Sequence, residues 1–412
     1  MIFNKVIPGR FANRHGDLLC RGAQCAPVRK CGGPRAGAHC APLRRIFWSA
    51  AIYLVLAISL AACAPKMEEL STTVFAMDTV MELTAYRAAP IDVMRSSFNG
   101  QVERLYQWEG LFSATLEDSD IHNLNANCGK SVGVSEETAH LLAEALALCE
   151  RTGGALDITA YPAVQAWGFT TGAYRVPGEE ELSALAANIN YTQVELQGGY
   201  TAPPEGMTQE SMQGLANYEE FLEKGELVYI PEGMQLDLGA VAKGYAADRM
   251  VEELSSYDCH ALLNLGQSTI AAIGSKPDGS PWRIGIQDPA GTDYLGVLEL
   301  ADQSMGSSGN YQRYFEENGQ IYGHIIDPDT AAPADSGLAG VTVVADSALL
   351  CDGLSTALFV MGLEEAAGHW REYRDFDAIF MEENGDITIT AGLKDSFSLQ
   401  PGYAGREVTV LE

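Results

Sequence analysis

Residues 236–248 read L-D-L-G-A-V-A-K-G-Y-A-A-D, and the expected fold is built outward from this stretch. Apolar Leu236 and Leu238 alternate with Asp237, as they do in a half-buried strand, and Gly239 then begins a helical pattern. The sequence therefore predicts a strand, a tight turn and a helix whose apolar face enters a core.

Lys243 falls in the first turns of that predicted helix. Free backbone N–H groups at a helix start favour anions, and an ammonium group adds a point charge to them. The pattern therefore predicts a phosphate site, beside which Asp237 accepts a hydrogen bond from a ligand hydroxyl or ring N–H. The same letters also fit a solvated helix lysine after an ordinary turn.

Composition and charge narrow the possible partners. The chain has 412 residues, 47% of them hydrophobic, which is enough for one or two globular units with a real core. Residues 46–412 contain 54 acidic and 17 basic residues, a formal net charge of −37. Such a surface repels nucleic acid, so no nucleic-acid partner is expected. An anionic ligand would need a local site with its own lysine or metal ion.

The N-terminal sequence is typical of a bacterial lipoprotein. Arg44 and Arg45 precede the uncharged residues 46–62, and Leu-Ala-Ala leads directly to Cys63. This order predicts a signal peptide at 44–62 and lipidation of Cys63. We therefore expect an exported protein, lipid-anchored to the outer face of the cytoplasmic membrane or the periplasmic side of a bacterial membrane. A transmembrane anchor is the alternative, and it leaves the domain on the same side.

The remaining boundaries follow from composition. Residues 1–43 are interpreted as a non-native or disordered extension, because signal peptides normally begin near the N-terminus. A tether is expected over 63–72 and one domain over 73–412, with a loop insertion rich in Gly, Glu, Pro and Met at 197–226. The cysteines after Cys63 are widely scattered, which predicts neither a disulfide framework nor a zinc site.

Hydrophobic periodicity gives the expected secondary structure. Alternation predicts a strand at 73–86 that is interrupted at 77–79, and an extended segment at 155–159 would put Asp157 and Thr159 on one face. A small-residue turn is expected at 305–311, where backbone can approach a ligand closely. The other predicted elements are helices at 91–109, 136–152 and 349–361, a short helix capped by Asp118 or Ser119, and strands at 261–273, 282–289, 341–345, 378–381 and 387–390.

Asp352 and Thr356 are four residues apart in a predicted helix and therefore share one face. A carboxylate and a hydroxyl suit Mg²⁺ when water and substrate phosphates fill its other positions. The same spacing also fits a helix cap or a surface pair.

Four motifs in the same order resemble the ApbE family of FAD:protein FMN transferases, and the resemblance runs from residue 73 to about 393. They are 236–248 above, S-S-G-N-Y-Q-R-Y at 307–314, H-I-I-D-P at 324–328, and C-D-G-L-S-T-A-L-F-V-M-G at 351–362. The resemblance implies an α+β fold, a single ApbE-like (T-fold-like) catalytic unit of mixed sheets with helices after the lipoprotein signal.

The resemblance also implies an activity and a set of site residues. With Mg²⁺, such an enzyme moves FMN from FAD to a Thr or Ser hydroxyl of an acceptor protein and releases AMP. The implied flavin and adenine contacts are Met77, Thr115, Ala155, Leu156, Asp157, Asp237, Lys243 and Ile326. The implied metal ligands are Asp352, Thr356 and the backbone carbonyl of Ala240.

The chemistry needs charge neutralisation and a proton acceptor for the incoming hydroxyl. Lys243 supplies charge, and His324 is the expected base, with Asp327 orienting its ring. A histidine before two isoleucines is also compatible with a purely structural role. The chain lacks an Asp followed shortly by Ser-Gly-Ala-Thr, the segment such enzymes modify, so the acceptor is expected to be another polypeptide, a membrane redox subunit.

Two other functions would use the same site. An FAD pyrophosphatase would send water in place of the protein hydroxyl, and a non-catalytic lipoprotein would only bind flavin. The chain also departs from the family pattern: Asp78, Gln267 and Ala331 stand where glycine is usual, Asp329 where arginine or threonine is usual, and Thr115 where tyrosine is.

Overall fold

The computed structural model describes residues 66–197, 226–291 and 293–412. The predicted extension, the signal peptide and Cys63 lie outside the described residues, as does 198–225 of the predicted insertion. Among the residues that are described, no helix combines the length and apolar character needed to cross a membrane.

The described part of the chain contains both helices and strands. The strands are β1 (Met67–Ala76), β2 (Thr79–Ala88), β3 (Ser131–Val134), β4 (Glu195–Leu196), β5 (Glu226–Tyr229), β6 (His260–Leu265), β7 (Thr269–Ile273), β8 (Trp282–Gln287), β9 (Tyr294–Leu300), β10 (Ser304–Gly309), β11 (Tyr314–Glu317), β12 (Gln320–Gly323), β13 (Ile326–Asp327), β14 (Ala332–Pro333), β15 (Leu338–Ala345), β16 (Asp377–Glu382), β17 (Ile387–Thr390), β18 (Phe397–Leu399) and β19 (Val408–Leu411). The α-helices are α1 (Asp92–Phe112), α2 (Asp120–Ala126), α3 (Glu136–Arg151), α4 (Tyr161–Ala166), α5 (Glu179–Ala186), α6 (Ala242–Ser255) and α7 (Ala348–Tyr373).

A large mixed sheet organises the fold. Its strand order is β1-β2-β6-β7-β10-β15-β16-β17-β19, and every neighbouring pair is antiparallel except β17 with β19. One face carries the main core, in which Leu263 and Val343 pack with Tyr245 of α6 and Leu358 of α7. The other face is covered by a small sheet of β8, β9 and β18. This arrangement confirms the predicted α+β class.

Several predicted elements are corrected at their boundaries. The strand expected at 73–86 is a hairpin, because Met77 and Asp78 form its two-residue turn with φ of 49° and 59°. Strand β1 begins at Met67, so the tether expected over 63–72 ends earlier. The turn expected at 305–311 is confined to its end, at Asn310 and Tyr311, because residues 305–309 belong to β10 in the middle of the large sheet.

Two further segments are irregular where strands were expected. Met234, Leu236 and Leu238 are buried in alternation as predicted, but the segment makes only an isolated bridge from Gln235 to Ala160. The Asp157 carboxylate accepts hydrogen bonds from the N–H and hydroxyl of Thr159, which makes a turn rather than an extended segment.

The predicted helices are confirmed, with changed ends. Helix α6 begins at Ala242, Ser119 caps α2 through a bond from the His122 N–H, and α7 extends to Tyr373 across a non-helical Gly362 with φ of 75°. The ends of the predicted insertion are also held in place. Strand β4 pairs with β5, and the Gln197 N–H donates to the Leu227 carbonyl at 2.8 Å.

Two glycines, one in α6 and one in β10, allow α7 to approach its neighbours closely. A Cβ on Gly244 of α6 would lie 2.5 Å from Ala348 O and from Leu349 Cα of α7. On the sheet side, a Cβ on Gly306 of β10 would collide with the backbone of Cys351. These contacts fix the depth at which the start of α7 lies between α6 and the sheet.

Helices α6 and α7 cap each other's N-termini. Asp248 of α6 accepts hydrogen bonds from the Ala348 N–H at 2.6 Å and the Leu349 N–H at 3.0 Å. In return, Asp352 of α7 accepts one from the Gly244 N–H at 2.9 Å. Carboxylates stabilise helix N-termini, so the two helices are fixed in register by charge as well as by packing.

We predict that Gly244→Ala destabilises the protein by about 1–3 kcal/mol, the usual cost of overpacking a close contact. Gly368→Ala is the matched control, since Gly368 is an exposed glycine of α7 and a Cβ there would meet nothing within 4 Å. That change should be neutral or stabilise by up to about 1 kcal/mol through helix propensity. Denaturant unfolding measures both, and equal effects would contradict the proposed steric role of Gly244.

Candidate active site

Two hairpin turns lie side by side at one end of the large sheet. Strands β2 and β6 pair up to Met81 opposite Leu265, and Gly266 packs so tightly on Thr79 that a Cβ there would lie 2.5 Å from the threonine hydroxyl. Met77 is therefore beside the turn that leads into Thr269. The Thr269 hydroxyl in turn donates to Asp352, which brings Met77 and α7 to the same end of the sheet.

Asp352 is buried and held by three groups. Its Oδ1 accepts from the Thr269 hydroxyl at 2.7 Å, and its Oδ2 accepts from the Gly244 N–H. Burial raises the pKa of Asp352, while the Lys243 ammonium and the two hydrogen bonds oppose that rise. The ammonium lies 3.9 Å from Oδ2, an ion pair too long for a direct hydrogen bond.

The start of α6 differs from the sequence expectation in one respect. The Gly244 N–H, which was expected to be available to a phosphate, donates instead to Asp352. The Lys243 side chain remains 19% exposed beside it. The negative charge expected at this helix start is thus partly supplied by the chain itself, and Lys243 remains accessible to a ligand.

Asp237 lies next to the segment 155–158. Its N–H donates to the Ile158 carbonyl at 2.8 Å, and its Oδ1 accepts from the Gly239 N–H at 2.9 Å. Burial raises the pKa of Asp237, and the Gly239 bond, Lys243 and Arg313 oppose the rise. One Asp237 carboxylate oxygen therefore has no partner among the described residues, as a ligand-binding role requires.

His324 lies at the same site, but its partner is not the predicted one. Its Nδ1 is 3.2 Å from the carbonyl of Arg313, and because a carbonyl can only accept, Nδ1 carries the proton and Nε2 presents a lone pair. The expectation that Asp327 orients the ring is wrong. The Asp327 carboxylate accepts from the Asp329 N–H and the Thr330 hydroxyl instead.

Electrostatics favours the neutral form of that imidazole. Burial lowers the pKa of His324 to about 4, and the positive charges of Arg313 and Lys243 act in the same direction. A neutral histidine with a free Nε2 can accept a proton at neutral pH. Lys243 thus acts electrostatically on Asp237, His324 and Asp352, which the sequence places far apart.

Thr356 lies one turn after Asp352, as predicted, and is partly buried. Its Oγ1 is 3.1 Å from Ser308 Oγ of β10, and Ser308 Oγ is 2.8 Å from Ser355 Oγ. Ser308 comes from the motif at 307–314, so two of the sequence motifs meet here. The hydroxyls form one continuous cluster.

Three of the remaining predicted flavin contacts have partners within the chain. Both Asp157 oxygens are bonded within the chain, to Thr159 and to the Tyr191 N–H, so that carboxylate holds the fold together. Ile326 is buried in an aromatic cluster with Trp167 and Phe315. Thr115 is exposed in a turn and bonds to Ser113. Ligand roles for these residues stay predictions.

The donors expected for Mg²⁺ are chemically suitable. In the described part of the chain, no hydrogen bond to the Ala240 carbonyl is found, and each Asp352 oxygen accepts only one. Three hard oxygens with free lone pairs fit Mg²⁺ together with phosphate and water. The described residues contain no cluster of three or more His, Cys, Asp or Glu side chains suited to a metal. The expected set has only one such side chain, so it stays a prediction.

Comparison with known families matches residues 77–380 to the model described as the ApbE family. The chain belongs to the ApbE family. It is 29% identical over 364 residues to the FAD:protein FMN transferase of Treponema pallidum, spanning 85% of this chain and 95% of that relative. A relative of the same name from Klebsiella pneumoniae is 31% identical over 72% of this chain and 86% of its own length. The family resemblance is confirmed, and the chain is an enzyme.

Solved structures agree with the fold. A crystal structure of the ApbE protein from Thermotoga maritima superposes with a TM-score of 0.67 at 29% identity, covering 79% of this chain and 98% of the other. The apo form of Pseudomonas stutzeri flavinyl transferase ApbE gives 0.63 at 26% identity, covering 82% and 96%.

Three residues that replace glycines of the ApbE pattern share one backbone conformation. Asp78, Gln267 and Ala331 all have left-handed backbone, with φ of 59°, 70° and 55°. Glycine adopts this conformation without strain, whereas other residues do so at some cost. At Ala331 the tertiary structure supports it, because the Trp167 Nε1–H donates to the Ala331 carbonyl at 2.8 Å. The turns keep the shape that glycine would favour.

Sequence reasoning missed several residues of this site. Thr269, Ser308 and Arg313 contact or act on the predicted residues, yet none was singled out. Ser308 and Arg313 lie within the matched motif at 307–314, which was the available signal. No signal in the sequence pointed to Thr269, since its contact with Asp352 spans 83 residues of sequence.

We predict that the pKa of His324 in the free enzyme lies near 4. The ring should stay neutral on acidification from pH 7.5 to about 5. NMR of the imidazole protons would follow its protonation, and the His324 signals would be assigned by their disappearance in His324→Gln. Because the folded pKa is lowered, the unfolded chain binds more protons between pH 6.5 and 4, and stability falls across that window as pH falls. A midpoint near 6.5 would contradict the burial and the positive surroundings described for the ring.

Proposed function

We propose that this enzyme transfers FMN from FAD to a Thr or Ser hydroxyl of another protein, forming a phosphoester and releasing AMP. The names of its relatives support flavin transfer from FAD to protein. The observation that carries the proposal for this chain is that Lys243 lies beside buried Asp352 and acts on Asp237 and His324, so one cation faces two carboxylates and a neutral base.

The site residues suit an attack on a pyrophosphate. The hydroxyl oxygen of the acceptor forms a bond to the FMN phosphorus, and the bond from that phosphorus to the bridging oxygen breaks, so AMP leaves. His324 Nε2 takes the hydroxyl proton, since Nδ1 is committed to the Arg313 carbonyl. Lys243 neutralises phosphate charge, which is the main requirement of phosphoryl transfer.

We further propose that Asp352, Thr356 and the Ala240 carbonyl hold Mg²⁺ at this site. The bound ion would supply Lewis-acid stabilisation of phosphate charge. Lys243 and the bound ion would together concentrate positive charge in a chain that is strongly acidic elsewhere. That local reversal of charge permits the anionic substrate to bind.

One assay separates the three candidate reactions. The full chain is incubated with FAD, Mg²⁺ and an acceptor polypeptide that carries an Asp followed shortly by Ser-Gly-Ala-Thr. We expect covalent FMN-protein and AMP, and Asp352→Ala should abolish both while FAD binding remains measurable. Free FMN with AMP and unmodified acceptor would indicate a pyrophosphatase, and unchanged FAD would indicate a binding protein.

Lys243→Met tests the phosphate contact, because it keeps the aliphatic stem and deletes the charge. FAD affinity should weaken by about 1–3 kcal/mol, the range for hydrogen bonds to charged groups. FMN, which has one phosphate, should lose less affinity than FAD, as flavin fluorescence titration would measure. Lys394→Met is the control, since Lys394 is an exposed lysine outside the site. Parent-like FAD affinity and transfer rate in Lys243→Met would rule out the assignment.

We also propose that the protein is exported and lipid-anchored, acting on a membrane-associated redox subunit. The support is the sequence of residues 44–63, with its two arginines, uncharged run and small residues before Cys63. Cys63→Ala should release the domain from membranes or block its processing, as fractionation and mass spectrometry of the N-terminus would detect. An uncleaved N-terminus with unchanged membrane retention would indicate a transmembrane anchor instead.

A further inference from the structure

Two neighbouring strands of the large sheet each direct a hydroxyl at α7. Thr269 is the first residue of β7, and Ser308 lies in β10, which pairs with β7 at Gly306 opposite Thr269. The two hydroxyls contact Asp352 and Thr356 respectively, the two side chains proposed above to bind Mg²⁺. The strands thus reach both proposed ligands from the side of the sheet.

Thr269 determines which way the Asp352 carboxylate faces. The threonine is fully buried, and its Oγ1–H donates to Oδ1 at 2.7 Å. The Gly244 N–H donates to Oδ2 from the opposite helix. With one donor on each oxygen, the plane of the carboxylate is fixed, and the remaining lone pairs are left for a cation.

Around Thr356, the direction of each hydrogen bond can be worked out. The Ser355 hydroxyl donates to the Asp352 carbonyl at 2.8 Å, so its single proton is used there. Ser308 must then donate to Ser355, which leaves Ser308 as an acceptor for Thr356. The Thr356 proton therefore points at Ser308, and the oxygen lone pairs point elsewhere. A hydroxyl that binds a cation needs this orientation.

We propose that Thr269 and Ser308 are positioning residues that orient Asp352 and Thr356 for Mg²⁺ binding. The proposal rests on the metal site put forward under Proposed function. Partners that hold the ligands of a metal site are worth about 10- to 100-fold in metal affinity or activity. The same hydroxyls therefore lower the cost of ordering the site when the ion binds.

Thr269→Val tests the first contact, because valine keeps the shape and the strand preference and removes only the hydroxyl. We expect Mg²⁺ affinity of the full chain, measured by calorimetric titration with MgCl₂, to weaken by about 10-fold or more. Thr269→Ser should recover most of it, since the hydroxyl returns. Recovery by serine would distinguish orientation of Asp352 from a general loss of packing.

Thr390→Val is the matched control, because Thr390 is also a buried strand threonine that donates to a carboxylate, Asp377, at 2.6 Å. It should lower the melting temperature without changing Mg²⁺ affinity. For the second contact, Ser308→Ala should weaken Mg²⁺ binding, whereas Ser307→Ala should not, because the Ser307 hydroxyl contacts Thr342 instead.

The outcomes separate the two levels of the proposal. If Asp352→Ala binds Mg²⁺ as the parent does, the metal site itself is wrong, and the positioning roles fall with it. If Asp352→Ala loses binding but Thr269→Val and Ser308→Ala keep the parent affinity, the metal site stands and the positioning roles are overturned.

Discussion

The mutual capping of α6 and α7 is the interaction on which the site depends. Asp248 accepts from the first N–H groups of α7, and Asp352 accepts from the Gly244 N–H of α6. The two carboxylates reach their partner helices only because α6 and α7 cross closely. The absence of a side chain at Gly244 allows that close crossing. Because Asp352 caps a helix and also faces Lys243, the packing that stabilises the fold is the same packing that positions the proposed chemistry.

Burial has opposite consequences for the acids and the base of this site. It raises the pKa values of Asp237 and Asp352, and it lowers that of His324, because a low-dielectric environment disfavours every charged form. Lys243 opposes the first effect and reinforces the second. A single cation therefore helps to keep the carboxylates ionised and the imidazole neutral, which is the protonation pattern that cation binding and proton abstraction both require.

Much of the fold followed from the sequence. Periodicity gave the helices at 91–109 and 136–152 and the strands at 378–381 and 387–390, since local hydrophobic spacing reports local conformation. Motif order gave the family and the residues Asp237, Lys243, His324 and Asp352. The conformation of segments rich in small residues was harder to predict. The stretch 305–311 was expected to be a turn and largely forms β10, because Gly306 serves close packing against α7 rather than chain reversal.

The sequence by itself determined the helices, several strands, the family and the identity of the charged residues near the site. Tertiary structure alone decided their partners. His324 is held by the Arg313 carbonyl and not by Asp327, and Asp352 is held by Thr269 from a distant strand. The physical reason is that a hydrogen bond needs two groups within about 3 Å at the right angle. Chain separation carries no information on that distance until the sheet and the two helices have packed.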